Sequence, residues 1–198
     1  MKEKLENFWY YYKWYVLAGL LAVVMLVVAI GSCSSKEDYD VTVLYMTHSY
    51  VDIDGEMDPL LSEYADDVNN DGKVNTRVIP ISYGTTYNES QSAGATRAAQ
   101  LATGEFVLFL MDEQNYNELR DNGFLMDISH LGKSSKLEGD RFDATELLYN
   151  IKGFKNTEQK FYFGIRVYDD SKAKEQSNYN ERYEIAYDYI KALCEEYK

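Results

Sequence analysis

The stretch Asp66–Ser82, DDVNNDGKVNTRVIPIS, sets oxygen-bearing side chains at the alternating spacing with which calcium loops supply ligands. Counting Asp67 as position 1 puts Asp67, Asn69 and Asp71 at positions 1, 3 and 5, Gly72 at the turn of position 6, and the carbonyl of Lys73 at position 7. Hard cations take oxygen ligands, so one reading is a weak calcium site completed by water or by an acid from elsewhere. Position 12, where a bidentate carboxylate should close the shell, is Val78. The other reading is a tight turn from a helix into a strand, since Asn and Asp cap their own backbone and Gly accepts a left-handed bend.

A second set of residues suits hydrogen bonding to a ligand. The chain has two histidines. His130 follows a turn and reads as exposed, whereas His48 stands in Thr47-His48-Ser49-Tyr50, directly after an apolar run. Open parallel sheets bind ligands outside the carboxyl ends of their strands. The same edge would receive Ser82, Tyr83 and Tyr87 after a second run, and Asp112, Gln114 and Asn115 after a third. An imidazole, hydroxyls, amides and a carboxylate gathered there fit a small polar solute. Catalytic signatures are missing: there is no Walker loop, G-x-G-x-x-G, H-E-x-x-H or G-x-S-x-G, and Ser171-x-x-Lys174 lacks its companion motifs. The expectation is a protein that is not an enzyme. Cys33 and Cys194 provide neither a disulfide framework nor a thiolate metal site.

The elements that must position these groups follow from apolar periodicity. Val41–Met46, Thr76–Ser82 and Phe106–Met111 are short apolar runs, as in strands covered on both faces. Met57, Leu60, Leu61, Tyr64, Ala65 and Val68 recur at helical spacing after Asp58-Pro59; Gln91–Thr103 is an Ala-rich helix ending at Gly104, and Glu113–Asp121 is a third helix stopping at Asn122-Gly123. This βαβαβα order predicts an α/β fold with one mostly parallel sheet flanked by helices. Further on, Gly132–Gly139 reads as a polar loop, Asp143–Glu146 as a helix start, Phe161–Tyr168 as a half-buried strand, and Glu181–Tyr197 as a closing amphipathic helix.

Leu101–Leu131, LATGEFVLFLMDEQNYNELRDNGFLMDISHL, resembles a segment of bacterial extracellular solute-binding proteins of the ABC-transporter type. There a helix ends at Gly, a buried strand and a short helix follow, and a Gly-x-Leu-x-Asp-Leu-like turn closes the unit. The resemblance runs from Val41 to about Val167 as an order of elements, and implies the fold of one lobe and a role in recognising a solute. No residues remain to build a second lobe, so a pocket here would be shallow. The run from Asp67 also resembles the first part of a dockerin calcium loop, which Val78 and the strand after it exclude.

The N-terminus predicts location. Tyr15–Gly31 is uncharged and almost wholly apolar, and follows an aromatic belt including Trp9, Tyr10, Tyr12 and Trp14. As a helix it spans about 25 Å, the short end of what crosses a bilayer. Residues 1–14 read as a cytoplasmic or interfacial leader, 15–31 as a transmembrane helix, 32–40 as a linker and 41–198 as an extracytoplasmic domain. Lys2, Lys4 and Lys13 precede the span, which places the N-terminus in the cytoplasm and makes a single-pass cell-membrane protein. Ile30-Gly31-Ser32-Cys33 offers the alternative of a lipoprotein signal with lipid on Cys33. The residues after Cys33 hold 17 basic and 31 acidic side chains, a net charge of −14, which disfavours nucleic acid as a partner. The expected partners are the membrane and a small polar solute or an envelope protein; the alternative is an assembly module of a membrane complex with no small ligand.

Overall fold

The computed structural model describes residues 2–34, 39–48, 55–82, 87–155 and 158–198. The chain divides into two units, residues 1–38 and 39–198. The first is one helix, α1 (Lys2–Ser34), in which no proline interrupts the hydrogen-bond ladder. Its side chains from Tyr15 to Val28 are uncharged and exposed. That run is about 21 Å long as a helix, against a hydrocarbon core of about 30 Å. Among the described residues no helix is long and apolar enough to cross a membrane. The span expected over Tyr15–Gly31 therefore rests on its sequence, since its last side chains lie outside the described ones.

The second unit is an α/β domain with a six-stranded mixed sheet. Its strands are β1 (Val41–Thr47), β2 (Thr76–Ser82), β3 (Leu108–Asp112), β4 (Leu137–Glu138), β5 (Arg141–Asp143) and β6 (Phe161–Ile165), in the order β2-β1-β3-β6-β5-β4. β1 runs parallel to β2 and β3, while β3–β6, β6–β5 and β5–β4 are antiparallel. The mostly parallel sheet expected from the first half is thus corrected in the second. For β4 and β5 the cause is local: Gly139, at φ 60°, opens a two-residue hairpin turn between them, so the chain reverses there without a crossover helix. The polar stretch Gly132–Gly139 accordingly contains β4.

Helices cover both faces of the sheet. They are α2 (Met57–Ser62), α3 (Tyr87–Thr103), α4 (Glu113–Asp121), α5 (Thr145–Leu148), α6 (Asp170–Glu175) and α7 (Tyr179–Glu196), with a 3-10 turn at Lys152–Phe154. Alternate residues of β1 enter different cores. Val43 and Tyr45 pack with Leu61 of α2 and Tyr189, Ile190 and Leu193 of α7; Leu44 and Met46 pack with Leu101 of α3 and Tyr116 and Leu119 of α4. This two-sided burial explains why β1 and β3 read as unbroken apolar runs. β6 was expected to be half-buried, but all five of its residues are buried. Tyr162 packs on Tyr116 of α4 at 4.9 Å between ring centroids, and Gly164 leaves the space that Met111 and Leu125 fill, where a Cβ would stand 3.0 and 3.2 Å away.

α2 is shorter than its apolar spacing predicts. After Ser62 the amides of Tyr64 and Ala65 bond three residues back, to Leu61 and Ser62. The buried carboxylate of Asp40 then accepts the N–H groups of Val68, Asn69 and Asn75, which draws Val68 out of the helix. α2 in turn serves the outer side of β2: Ser62 Oγ accepts Thr76 N–H at 3.2 Å, Asp58 accepts Val78 N–H at 3.0 Å, and Pro80 has no N–H to offer.

Burial raises the pKa of several core tyrosines, among them Tyr45, Tyr183 and Tyr189, because a phenolate loses its hydration inside the domain. Their protonated form is favoured in the fold, so the stability they contribute is complete below the unfolded value of about 10 and is lost as pH rises above it. Absorbance at the tyrosinate band should therefore rise for the exposed tyrosines first. The remainder should titrate together with loss of ellipticity, and complete tyrosinate formation in a still folded domain would contradict this.

Candidate functional site

Asp112 is the centre of the polar cluster at the carboxyl ends of β1 and β3. It closes β3 and serves as N-cap of α4, with extended backbone (φ −67°, ψ 166°), and its Oδ1 accepts Asn115 N–H at 2.9 Å. Its Oδ2 accepts the backbone N–H of His48, which ties the exit of β1 to the start of α4. Asp112 and Asn115 are both buried, and so is Thr47. The cap requirement of one helix thus fixes the side chain that holds the neighbouring strand's first loop residue.

The orientation of Asn115 is determined by its two neighbours. Arg97 Nη1, from α3, donates to Asn115 Oδ1 at 2.6 Å, and Asn115 Nδ2 donates to Asp112 Oδ1 at 2.9 Å. The same Nδ2 lies 2.9 Å from His48 Nδ1, closer than the 3.3 and 3.4 Å that separate this nitrogen from the Asp112 oxygens. A donor at that distance makes Nδ1 the acceptor, so the neutral imidazole carries its proton on Nε2. Nε2 stands 4.0 Å from Glu118 Oε1, and the other Glu118 oxygen pairs with Arg97 Nη2 at 2.6 Å. In that tautomer the Nε2–H of His48, a side chain 22% exposed, lies on the side of Glu118. As a general base it would need a free Nε2 lone pair.

Of the residues expected at this edge, His48, Asp112 and Asn115 converge, and Thr47 is buried beneath them. Gln114 does not: it is exposed on α4, because the turn that buries Asn115 directs its neighbour to solvent. Ser49, Tyr50 and Tyr83 lie outside the described residues, as does the side chain of Tyr87, which opens α3. Arg97 and Glu118 were not anticipated. The available signals were that Arg97 is the one cation in α3 and that Glu118 stands three residues after Asn115, on the same helical face.

The Asp67 turn lies at the opposite edge, between α2 and β2. Asp67 Oδ1 accepts Asp71 N–H at 3.2 Å and Oδ2 accepts Gly72 N–H at 2.9 Å; Asn69 accepts Asp71 N–H and Asp71 accepts Lys73 N–H, at 2.9 and 2.8 Å. Asn70 and Gly72 take the left-handed conformations the turn requires, at φ 58° and 82°. Among the described residues no group of three or more His, Cys, Asp or Glu side chains gathers as a metal site would require. Asp67→Ala is expected to cost about 1 kcal/mol, since two exposed N–H groups lose a side-chain acceptor that water partly replaces. Urea denaturation measures this. The same experiment with calcium tests the second use of the turn: an unchanged midpoint for the wild-type chain removes the metal reading of Asp67, Asn69, Asp71 and Lys73, and a rise that Asp67→Ala abolishes supports it.

No family model matches the chain, and no curated protein or solved structure matches it.

Proposed function

We propose that this chain is a membrane-anchored recognition domain, built like one lobe of a solute-binding protein, that holds a small polar solute at the carboxyl ends of β1 and β3 without covalent chemistry. The observation that carries the reading is two partly exposed donors on two buried supports. The side chains of His48 and Arg97 are 22% and 19% exposed, and both are hydrogen-bonded to Asn115, itself fixed by Asp112. Donors held in this way are preorganised, so a ligand need not order them on binding. The imidazole of His48 and the Arg97 guanidinium, both partly exposed, favour solutes rich in carbonyl, hydroxyl or carboxylate oxygen. The anchor in this proposal is the uncharged run Tyr15–Gly31, with the domain extracytoplasmic and Lys2, Lys4 and Lys13 in the cytoplasm.

The test uses the full chain in nanodiscs, screened against amino acids, simple sugars and short peptides, with the His48 and Asn115 NMR signals as readout. A binder should be weakened about tenfold by His48→Ala and by Arg97→Ala, each removing one hydrogen bond worth about 1.4 kcal/mol. Absence of any binder, or one indifferent to both substitutions, rejects the solute site and favours an assembly module.

A further inference from the structure

The hydrogen bonds around His48 and Asn115 give the strand-end cluster a property that needs no solute. Three side-chain contacts fix the Asn115 amide: Oδ1 accepts from Arg97 Nη1 at 2.6 Å, and Nδ2 lies 2.9 Å from both Asp112 Oδ1 and His48 Nδ1. The NH2 group has two protons, and the one directed at the imidazole has an acceptor only while Nδ1 keeps its lone pair. Asn115 is fully buried, so a proton deprived of that acceptor is not taken over by solvent.

Histidine is the side chain that changes charge within the physiological range of pH, and in its charged form both ring nitrogens are donors. Protonation of His48 would set Nδ1–H against Asn115 Nδ2–H across 2.9 Å, donor against donor. Among the described residues the charged groups that face the ring are Asp112 at the end of β3, whose oxygens stand 3.3 and 3.4 Å from Nδ1, and Glu118 of α4, 4.0 Å from Nε2; Arg97 of α3 is reached through Asn115. A charge-assisted bond to a carboxylate is about twice as strong as a neutral one. Asp112 also holds the backbone N–H of His48, so the imidazolium stays in place and the amide is the group that has to turn. Turning carries Oδ1 away from Arg97.

We infer that His48 and Asn115 form a proton-operated switch that positions Arg97. With His48 neutral, the amide ties Arg97 of α3 to α4; with His48 protonated, the amide turns and releases Arg97, while the ion pair of Arg97 with Glu118 at 2.6 Å remains. His48 is thus a positioning residue, acting on Arg97 through Asn115. The switch regulates the residues of the solute reading: it would keep the pair of donors assembled at neutral pH and loosen it in acid. Its own operation rests on the hydrogen bonds alone.

The experiment records NMR spectra of the full chain in nanodiscs, with no solute, from about pH 8 to about pH 5, the range in which histidine changes charge. The His48 ring should begin with Nδ1 unprotonated and end with both nitrogens protonated. The side-chain amide signals of Asn115 should move with the same midpoint. Exchange of the Arg97 guanidinium protons, taken relative to those of exposed Arg120, should rise about tenfold, the equivalent of one lost hydrogen bond. In His48→Gln, which keeps the main-chain N–H to Asp112 and cannot titrate, both responses should vanish. The inference is overturned by Nδ1 protonated at the alkaline limit, by a ring still neutral at the acid limit, by Asn115 or Arg97 signals that do not follow the ring, by the same responses in His48→Gln, or by loss of the folded spectrum in place of a local change. No solute is present, so failure of the solute site leaves every one of these readouts intact.

Discussion

Asp112→Ala is expected to lower the unfolding free energy of the domain by about 3 kcal/mol, the sum of a lost helix cap and a buried N–H left without an acceptor. Its carboxylate accepts the backbone N–H groups of His48 and Asn115 and the side-chain amide of Asn115. None of these donors gains ready access to water when the carboxylate goes, because Asn115 is fully buried and His48 only partly exposed. For a domain of this size the loss corresponds to a fall in melting temperature of about 6–12 °C. Asp112→Asn keeps one acceptor oxygen and should cost roughly half as much. Gln114→Ala, at an exposed neighbouring position, should stay within about 0.5 kcal/mol of wild type. A change below 1 kcal/mol for Asp112→Ala, measured by urea denaturation, would mean that the strand-end cluster does not organise this edge.

The other large effect concerns location. Leu21→Arg combined with Val24→Arg should release the full chain from membranes, because each central arginine costs about 2.5–3.5 kcal/mol on insertion. Leu21 and Val24 are 55% and 53% exposed on α1, so the substitutions break no packing within that unit. Alkaline extraction followed by sedimentation measures the outcome, and intact mass measures the alternative. Full retention of the double variant together with a diacylglyceryl adduct on Cys33 would replace the anchored helix with a lipidated terminus.

The strand-end cluster was partly legible because it obeys a topological rule. His48 and Asp112 follow apolar runs, and parallel neighbours bring their carboxyl ends together whatever the intervening sequence. Arg97 was not legible, since its partner Asn115 is 18 residues away and their meeting depends on how α3 packs on α4's side of the sheet. The order of the last three strands was hidden for a different reason. β4 and β5 are two and three residues long, too short for a period of two to register, and only the turn at Gly139 marks them. The end of α2 was misjudged because the buried Asp40, 28 residues before Val68, takes hydrogen bonds that the helix would otherwise have kept. For Arg97 and for the end of α2 the missing information was a contact between residues distant in sequence.

The outer side of β2 has a consequence for the proposed anchoring at a membrane surface. Anchored as proposed, the domain would meet its own copies at effective concentrations on the order of millimolar, where an open strand edge templates pairing between molecules. On β2 the Thr76 and Val78 donors are already taken by Ser62 and Asp58, and Pro80 has none to give. The opposite border, β4, is two residues long and carries Glu138. Both borders are thus poor templates for a seventh strand, so dense lateral packing should leave these domains as separate molecules.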